Sequence, residues 1–234
     1  MEFTPGPLAF IGGAEWTEGC TFDPDLLAAS GGSHVLVLPT AAAYEHPERL
    51  VAQAGEWFAA MGADVEGLMV LNRSEASDLA AADIMRRARF VYLAGESPLH
   101  LRSVLKSSPL WDALVETWRS GAVVAASSGA AMALVDPMVD IRGGALTLGL
   151  GLVTGMTIVP HLGEADDDAS GDKLHRTFAL APPDVPVVAI PNRTALIRDP
   201  DGSWRTSGAG VVDVHLGGVP APDGLSALPT DLPD

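Results

Sequence analysis

The sequence predicts an α/β protein with a parallel central sheet, and three observations support this class. Short runs of continuous apolar residues are typical of strands that are covered on both faces. Helix-like segments separate these runs, as crossovers between parallel strands require. The chain has 234 residues and is 47% hydrophobic, which is enough to bury a sizeable core without disulfides or metals. The runs are residues 8–11, 35–38, 68–71, 90–93 and 123–126.

Apolar residues at helical spacing fill the segments between the runs. Residues 50–61 form one such stripe, and residues 78–88 end in two arginines, which suit a helix C-terminus. Residues 110–118 form another stripe, with Pro109 near its start and Gly121 just past its end. These segments predict helices that pack against the sheet.

The sequence pattern changes in the last third of the chain, where further strands are predicted. Turn residues at 199–202 predict a β-hairpin that joins the last two apolar runs. From 217 to 234 the chain is rich in proline, glycine and acidic residues, so we expect a loose tail after a single domain over residues 1–216. The late runs are residues 187–190, 195–198 and 211–216.

Charge and cysteine content exclude several classes of function. Lys and Arg number 14 against 30 Asp and Glu, which gives a net charge of −16. Phosphate backbones and anionic membranes repel such a surface, so we expect no nucleic-acid or membrane partner. Cys20 is the only cysteine, which excludes an internal disulfide and a cysteine-based zinc site and fits a reducing compartment. With no signal peptide or long apolar run in the sequence, we expect a cytoplasmic protein.

Residues 121–132 have the composition of a nucleophile elbow. An apolar strand runs into Ser127 and Ser128, small residues surround the pair, and a helix-competent stretch follows. Such a turn lifts a serine hydroxyl above the sheet edge, where backbone N–H groups can hold a developing oxyanion. The spacing differs from G-x-S-x-G, and the alternative is a strand-to-helix turn with one of the serines as N-cap.

A nucleophilic serine needs a base and an acid. His161 follows the apolar run 156–160 and therefore stands at the carboxyl end of a predicted strand, where α/β sheets place their chemistry. His100 also follows a strand and is the main alternative. Asp136 and Asp140 are candidate acids, whereas we interpret the acidic cluster at 164–168 as a solvated loop. No metal-ligand spacing is recognised, so we expect neither a metal nor a cofactor.

Several motifs follow one another in an order that resembles a known family. They are Phe10-Ile11-Gly12-Gly13, Val35-Leu36-Val37-Leu38-Pro39-Thr40-Ala41-Ala42, Val91-Tyr92-Leu93-Ala94-Gly95-Glu96-Ser97, Ala126-Ser127-Ser128-Gly129-Ala130-Ala131, Ile158-Val159-Pro160-His161 and Thr194-Ala195-Leu196. Over residues 8–216 this order resembles the aspartyl dipeptidase and cyanophycinase family of serine peptidases. The resemblance implies a three-layer, flavodoxin-like fold shared with the glutamine amidotransferase domain, and a serine peptidase-like hydrolase acting on a short peptide or isopeptide bond.

The resemblance also assigns the catalytic groups. It implies Ser128 as the nucleophile and His161 as the base. The family's dipeptidase draws its acid from the interval between these two residues, which favours Asp140, with Asp136 next.

Further residues are assigned to the substrate by the same resemblance. Gly95 and Gly129 would supply the N–H groups of an oxyanion hole. Arg176 and Lys173 fall where the dipeptidase carries basic residues, and they would bind a substrate carboxylate. The alternative for both is ordinary surface charge.

Departures from the family pattern keep other hypotheses open. Alanines stand in place of family glycines at 94, 126 and 130, Ser97 replaces a glutamine, and Asn192 stands where cyanophycinases carry a glutamate. These changes favour the alternative of a catalytically inactive binding protein. A thiol amidotransferase would need cysteine at the elbow, and a dinucleotide-binding protein would need G-x-G-x-x-G. A homodimer through the Trp111 or Trp118 face is the alternative to packing of these side chains in the core.

Overall fold

A computed structural model describes residues 4–140, 142, 144–162 and 168–230, with only the backbone described at 162 and 168–173. The strands are β1 (Leu8–Ile11), β2 (His34–Leu38), β3 (Asp64–Gly67), β4 (Phe90–Leu93), β5 (Val123–Ser127), β6 (Val135–Asp136), β7 (Met138–Val139), β8 (Leu146–Thr147), β9 (Val153–Thr154), β10 (Thr157–Leu162), β11 (Val187–Pro191), β12 (Thr194–Arg198), β13 (Trp204–Gly208), β14 (Asp213–Leu216) and β15 (Val219–Pro220). The helices are α1 (Asp23–Ser30), α2 (Pro47–Ala59), α3 (Arg73–Ala76), α4 (Leu79–Arg87), α5 (Pro98–Leu105), α6 (Pro109–Arg119), α7 (Ser128–Leu134) and α8 (Asp168–Leu180), with 3₁₀ turns at Thr40–Ala42 and Gly224–Ala227.

The central sheet has the strand order β13-β12-β1-β5-β4-β2-β3. From β1 to β3 neighbouring strands are parallel, whereas β12 and β13 pair antiparallel at one edge. Alternate side chains enter two separate cores: Phe10 and Leu38 on one face, Ile11 and Tyr92 on the other. The predicted three-layer α/β class is therefore confirmed.

Helices cover both faces of this sheet, as the continuous burial of its strands requires. Helices α4 to α7 lie over the face of Phe10, and α1 and α2 cover the opposite face. Trp118 of α6 is 1% exposed and donates its Nε1–H to Gly6 O at 2.8 Å. This tryptophan therefore belongs to the core.

Four of the later strands form a smaller sheet with the order β10-β11-β14-β15. Strands β10 and β11 are parallel, and β14 pairs antiparallel with β11. The backbone N–H of His161 donates to Gly12 O at 2.9 Å, just beyond the end of β1. This hydrogen bond joins the small sheet to the edge of the central sheet at which β1, β5 and β4 end.

The prediction of a strand at 68–71 is wrong, because the strand is β3 at Asp64–Gly67. Strand β3 is at the edge of the sheet and pairs with β2. Its sequence, Asp-Val-Glu-Gly, is half polar since an edge strand need not be covered on both faces. The apolar run after it leaves the sheet and buries Leu68 and Val70 in the core.

The C-terminal hairpin is present but has a different second strand. The turn at 199–202 joins β12 to β13, whereas the predicted run at 211–216 contributes β14 to the small sheet. Residues 217–230 do not form the expected loose tail: Leu228 is 3% exposed, and Trp204 Nε1 donates to Pro229 O at 2.9 Å. Within the described ranges, no helix is long and apolar enough to cross a bilayer.

Candidate active site

Three neighbouring strands of the central sheet end at one edge and bring polar residues together. In the sheet β1 lies beside β5 and β5 beside β4. Glu15 comes shortly after β1, Ser127 and Ser128 lie at the end of β5, and Glu96 follows β4. Because parallel strands share the direction of their carboxyl ends, these side chains meet in one place, as the general rule for α/β sheets predicts.

Ser128 has the backbone conformation of a nucleophile elbow. Its φ is +55°, in the left-handed region that non-glycine residues adopt at a cost of about 1–3 kcal/mol. The side chain is buried, and Oγ has no well-aligned hydrogen-bond partner among the described residues. The same hydroxyl still lies close enough to Glu96 to help lower the pKa of that carboxyl. A strained, unpartnered hydroxyl beside a carboxylate is the setting of a reactive group rather than of a helix cap.

His161 is presented by an irregularity in the small sheet. The register between β10 and β11 shifts between Val159 and Leu162, and His161 has a φ of +63°. Such bulges re-aim a side chain. The ring lies directly over Gly13, where a Cβ atom would come within 2.5 Å of Nδ1. Gly13 therefore makes room for the imidazole, and Gly12 makes room for the backbone of β11.

Two polar side chains hold the His161 ring. Nδ1 lies 3.1 Å from Asn192 Oδ1, and Nε2 lies 3.0 Å from Glu96 Oε2. Burial would lower the pKa of His161, but the hydrogen bond and charge of Glu96 raise it overall. Burial would in turn raise the pKa of Glu96, but His161 lowers it overall. The two residues thus form an ion pair that both shifts favour.

Glu15 is a second carboxyl group at the site. Burial raises its pKa overall, while a backbone hydrogen bond and the nearby Ser127 hydroxyl lower it in part. Glu96 and His161 also act on its charge, which places all three groups within one electrostatic environment. Ser127 Oγ is buried without a well-aligned hydrogen bond, so its effect on Glu15 is one of proximity.

Asp140 and Asp136 are placed elsewhere. The Asp140 carboxylate accepts two hydrogen bonds from the Arg142 side chain, at 3.0 and 2.8 Å, and Arg142 lowers its pKa. Asp136 accepts from Gly149 N at 3.1 Å. The acid predicted for His161 is therefore not brought to it, because Asp140 lies in the turn that follows β7 and pairs locally. Asn192 occupies the expected position instead.

The turn that contains Gly95 packs tightly against the elbow. Gly95 has a φ of +122°, and a Cβ atom there would lie 2.3 Å from Ala42 N. Its carbonyl accepts from Ala130 N at 3.0 Å. At Gly129 a Cβ atom would lie 2.4 Å from Glu96 O. Both glycines predicted for the oxyanion hole thus lie beside Ser128, at positions that no larger residue fits.

The predicted substrate-binding cations lie on α8. Arg176 is exposed on this helix, and no described contact joins it to Ser128 or His161. Lys173 belongs to the same helix, but its side chain lies outside the described residues. The competing histidine, His100, is placed in α5, where Nε2 lies 2.9 Å from Leu71 O. In the described part of the chain, no group of three or more histidine, cysteine or acidic side chains is arranged so that it could hold a metal ion.

Sequence reasoning missed Glu15 and Glu96 as site residues and treated Asn192 only as a departure from a family pattern. A signal existed for the two glutamates, since each follows a strand end by a few residues and a glycine directly precedes Glu96. Asn192 carries the same signal, since it directly follows β11, and it meets His161 because β10 and β11 pair.

The fold and the site together define an α/β protein in which a mostly parallel sheet carries a strained serine at its carboxyl edge and Glu96 contacts the His161 ring there. Comparison with protein families is more specific: the model of peptidase family S51 matches residues 10–203. The chain belongs to peptidase family S51, which confirms the resemblance to the dipeptidase and cyanophycinase family.

Solved structures support the same fold. A peptidase from an acI-B1 actinobacterium superposes with a TM-score of 0.80 at 24% identity, covering 93% of each chain. A protein described as a candidate peptidase E from Listeria monocytogenes EGD-e gives a TM-score of 0.63 at 15% identity, covering 91% of this chain and 98% of that chain. Comparison with curated proteins gives no match.

Proposed function

We propose that the protein is a serine-type amide hydrolase that cleaves a short peptide or isopeptide bond, with Ser128 as nucleophile and His161 as base. The observation that carries the proposal is the strained elbow at Ser128, whose buried hydroxyl lies beside Glu96, the carboxylate that also contacts the His161 ring. Membership of a peptidase family supports the reaction class. The net charge of −16 supports a small peptide substrate rather than a nucleic acid.

In the proposed reaction Ser128 Oγ attacks the scissile carbonyl carbon, and its proton passes to Nε2 of His161. The carbonyl π electrons move to oxygen and form an oxyanion, which the N–H groups of Gly129 and Gly95 would hold. When the C–N bond breaks, the leaving amine takes the proton from His161. Water then attacks the acyl-enzyme by the same route, and Ser128 recovers its proton.

Asn192 replaces the carboxylate of a conventional triad. Its Oδ1 can accept the Nδ1–H of His161 and fix the ring orientation. An amide carries no charge, so it stabilises the transient imidazolium less than an aspartate would. Glu96 and Glu15 supply negative charge to the ring from other directions.

Replacement of Ser128 tests the proposal. We expect Ser128→Ala to lose hydrolysis of small peptide amides by at least about 1000-fold, because no other group supplies the attacking oxygen. Ser103→Ala is a matched control, since Ser103 is an exposed serine on α5 that bonds only to His100 O in the described contacts. Equal turnover by Ser128→Ala and the wild type would disprove the assignment.

A catalytically inactive binding protein is the second candidate, and one observation favours it. Nε2 of His161, which the mechanism needs free, contacts Glu96. If this pair never opens, the site has no free base. Absence of any Ser128-dependent turnover, together with retained peptide binding, would support this alternative.

A further inference from the structure

A cavity lies at the edge of the central sheet opposite the candidate active site. It has a volume of about 250 Å³ and lies where α4 and α6 end and where β4 and β5 begin. We call it the arginine cavity after three of its lining residues, Arg86, Arg87 and Arg89. Strands β4 and β5 lead from this cavity to Glu96 and Ser128, and strands of their length span about 13–17 Å. An occupant of the cavity therefore does not touch the candidate active site.

The side chains that line the arginine cavity carry an excess of positive charge. Among the described lining residues, the three arginines are accompanied by one carboxylate, that of Glu116. This is a balance of +2 in a chain whose net charge is −16. The ends of α4 and α6 offset about one of these charges, since each helix C-terminus carries about half a negative charge. Small anions are therefore repelled by most of the protein surface but not at this cavity.

The Glu116 carboxylate is already engaged with Arg86. Nε of Arg86 donates to Glu116 Oε2 at 2.9 Å, and Nη1 donates to Asp83 Oδ1, also at 2.9 Å. The Asp83 side chain is 62% exposed and is not part of the lining, so solvent screens its charge. The acidic groups at the cavity are thus paired with one arginine, and the other two arginines have no carboxylate partner among the described residues.

Hydrogen-bond donors remain available in the arginine cavity. Arg89 donates Nε to Ser30 O at 2.9 Å, which fixes the direction of its side chain and leaves Nη1 and Nη2 without a described partner. Arg87 and the Ser120 hydroxyl also have no hydrogen bond within the described ranges. Guanidinium groups only donate, so the ligand that fits these groups is an acceptor with negative charge.

We propose that the arginine cavity binds a phosphate group, as inorganic phosphate or as a small phosphomonoester, through Arg87 and Arg89. A phosphate dianion has only acceptor oxygens and matches the paired N–H groups of guanidinium in a bidentate geometry. Its two charges balance the two arginines that Glu116 does not pair. The cavity has room for a phosphate group with a small organic substituent. This site is separate from the proposed hydrolytic site, and neither depends on the other.

Calorimetry of the full chain at constant ionic strength tests the proposal with three probes: inorganic phosphate, glycerol 3-phosphate and acetate. At about pH 8 the phosphate groups are dianions, because their second pKa is about 6–7. We expect one equivalent of phosphate to bind with a Kd of about 1 mM or tighter. Acetate, with one charge, should bind at least about 10-fold more weakly. Binding of glycerol 3-phosphate identifies a phosphomonoester site, and binding of inorganic phosphate alone identifies a site for the free ion.

Methionine substitutions remove the donors and keep the apolar stems. Arg87→Met and Arg89→Met should each weaken phosphate binding by about 10- to 100-fold, the size of one charge-assisted interaction. Arg89 also holds the end of α1, whereas Arg87 has no described contact to lose, so Arg87→Met tests the site without disturbing the fold. Arg49→Met is the matched control, because Arg49 is an exposed arginine on α2 without a described partner.

Binding in Arg49→Met and in Ser128→Ala should equal that of the wild type. Four results overturn the proposal: no saturable binding of either phosphate compound, acetate binding as tight as phosphate binding, wild-type affinity in Arg87→Met or in Arg89→Met, or an equal loss in Arg49→Met. The last result would show a response to the net charge of the chain and not to a site. Loss of binding in Ser128→Ala would place the phosphate at the candidate active site and would also overturn the proposal.

Discussion

At the scale of single residues, Asp23 shows how the fold tolerates polar groups beneath the site. It is fully buried, and burial raises its pKa to about 7, although Trp57 Nε1 donates to it at 2.9 Å. The Tyr92 hydroxyl and Trp16 Nε1 are buried nearby without hydrogen-bond partners among the described residues. The core on this face therefore contains a polar cluster whose energetic cost depends on pH.

Asp23→Asn should make the protein more stable at alkaline pH. Between the ordinary pKa of 3.8 and about 7, the folded protein binds more protons at this position than the unfolded chain, so the free energy of unfolding falls as pH rises. Above this window the variant should be more stable by about 2–4 kcal/mol, and at about pH 4 the two proteins should unfold alike. Urea unfolding at both ends of the window measures the difference, and equal stability at about pH 8 would contradict the burial of the charge.

At the scale of elements, the site depends on how closely the turn after β4 approaches the start of α7. A Cβ atom at Gly129 would lie 2.4 Å from Glu96 O, and Gly95 O accepts from Ala130 N at 3.0 Å. The two positions of this contact at which a Cβ atom would collide with backbone, 95 and 129, are both glycine. The contact sets Glu96 beside Ser128 and leaves no room for a larger side chain at either position.

Gly129→Ala should push these two elements apart. We expect a loss of about 1–3 kcal/mol in the free energy of unfolding, the usual cost of overpacking, together with slower hydrolysis. Gly55→Ala is the control, because Gly55 lies in α2 and a Cβ atom there meets nothing within 4 Å. That variant should gain about 1 kcal/mol from helix propensity. Urea unfolding of both variants checks the contrast, and wild-type stability in Gly129→Ala would show that the contact is loose.

At the scale of the whole molecule, the sequence predicts the strands that are buried on both faces and misses the strands at the edges of the central sheet. Four of the five early apolar runs coincide with strands of the central sheet. Parallel strands that helices cover on both faces consist of consecutive apolar residues, which the sequence shows directly. Strands β3 and β13 were missed since edge strands tolerate polar residues.

The candidate site also contains residues that the sequence predicts and residues that it does not. Ser128 and His161 are predictable because each ends an apolar run. Their partners follow strand ends too, but the sequence does not show which strand ends meet: Glu96 and Asn192 are separated from His161 by 65 and 31 residues along the chain and meet it through the folded sheets. By its position in the sequence Asp140 is a suitable acid for His161, but in the structure its carboxylate pairs with Arg142.

The central claim is that the serine at the elbow is the nucleophile, and the site of a fluorophosphonate adduct tests it most directly. After reaction with the wild-type protein, mass spectrometry of its peptides locates the phosphonylated residue. The account predicts a single adduct on Ser128, absent from Ser128→Ala and retained in Ser103→Ala. An adduct on Ser127 or on any other serine, or no adduct under conditions that label a known serine hydrolase, would contradict it.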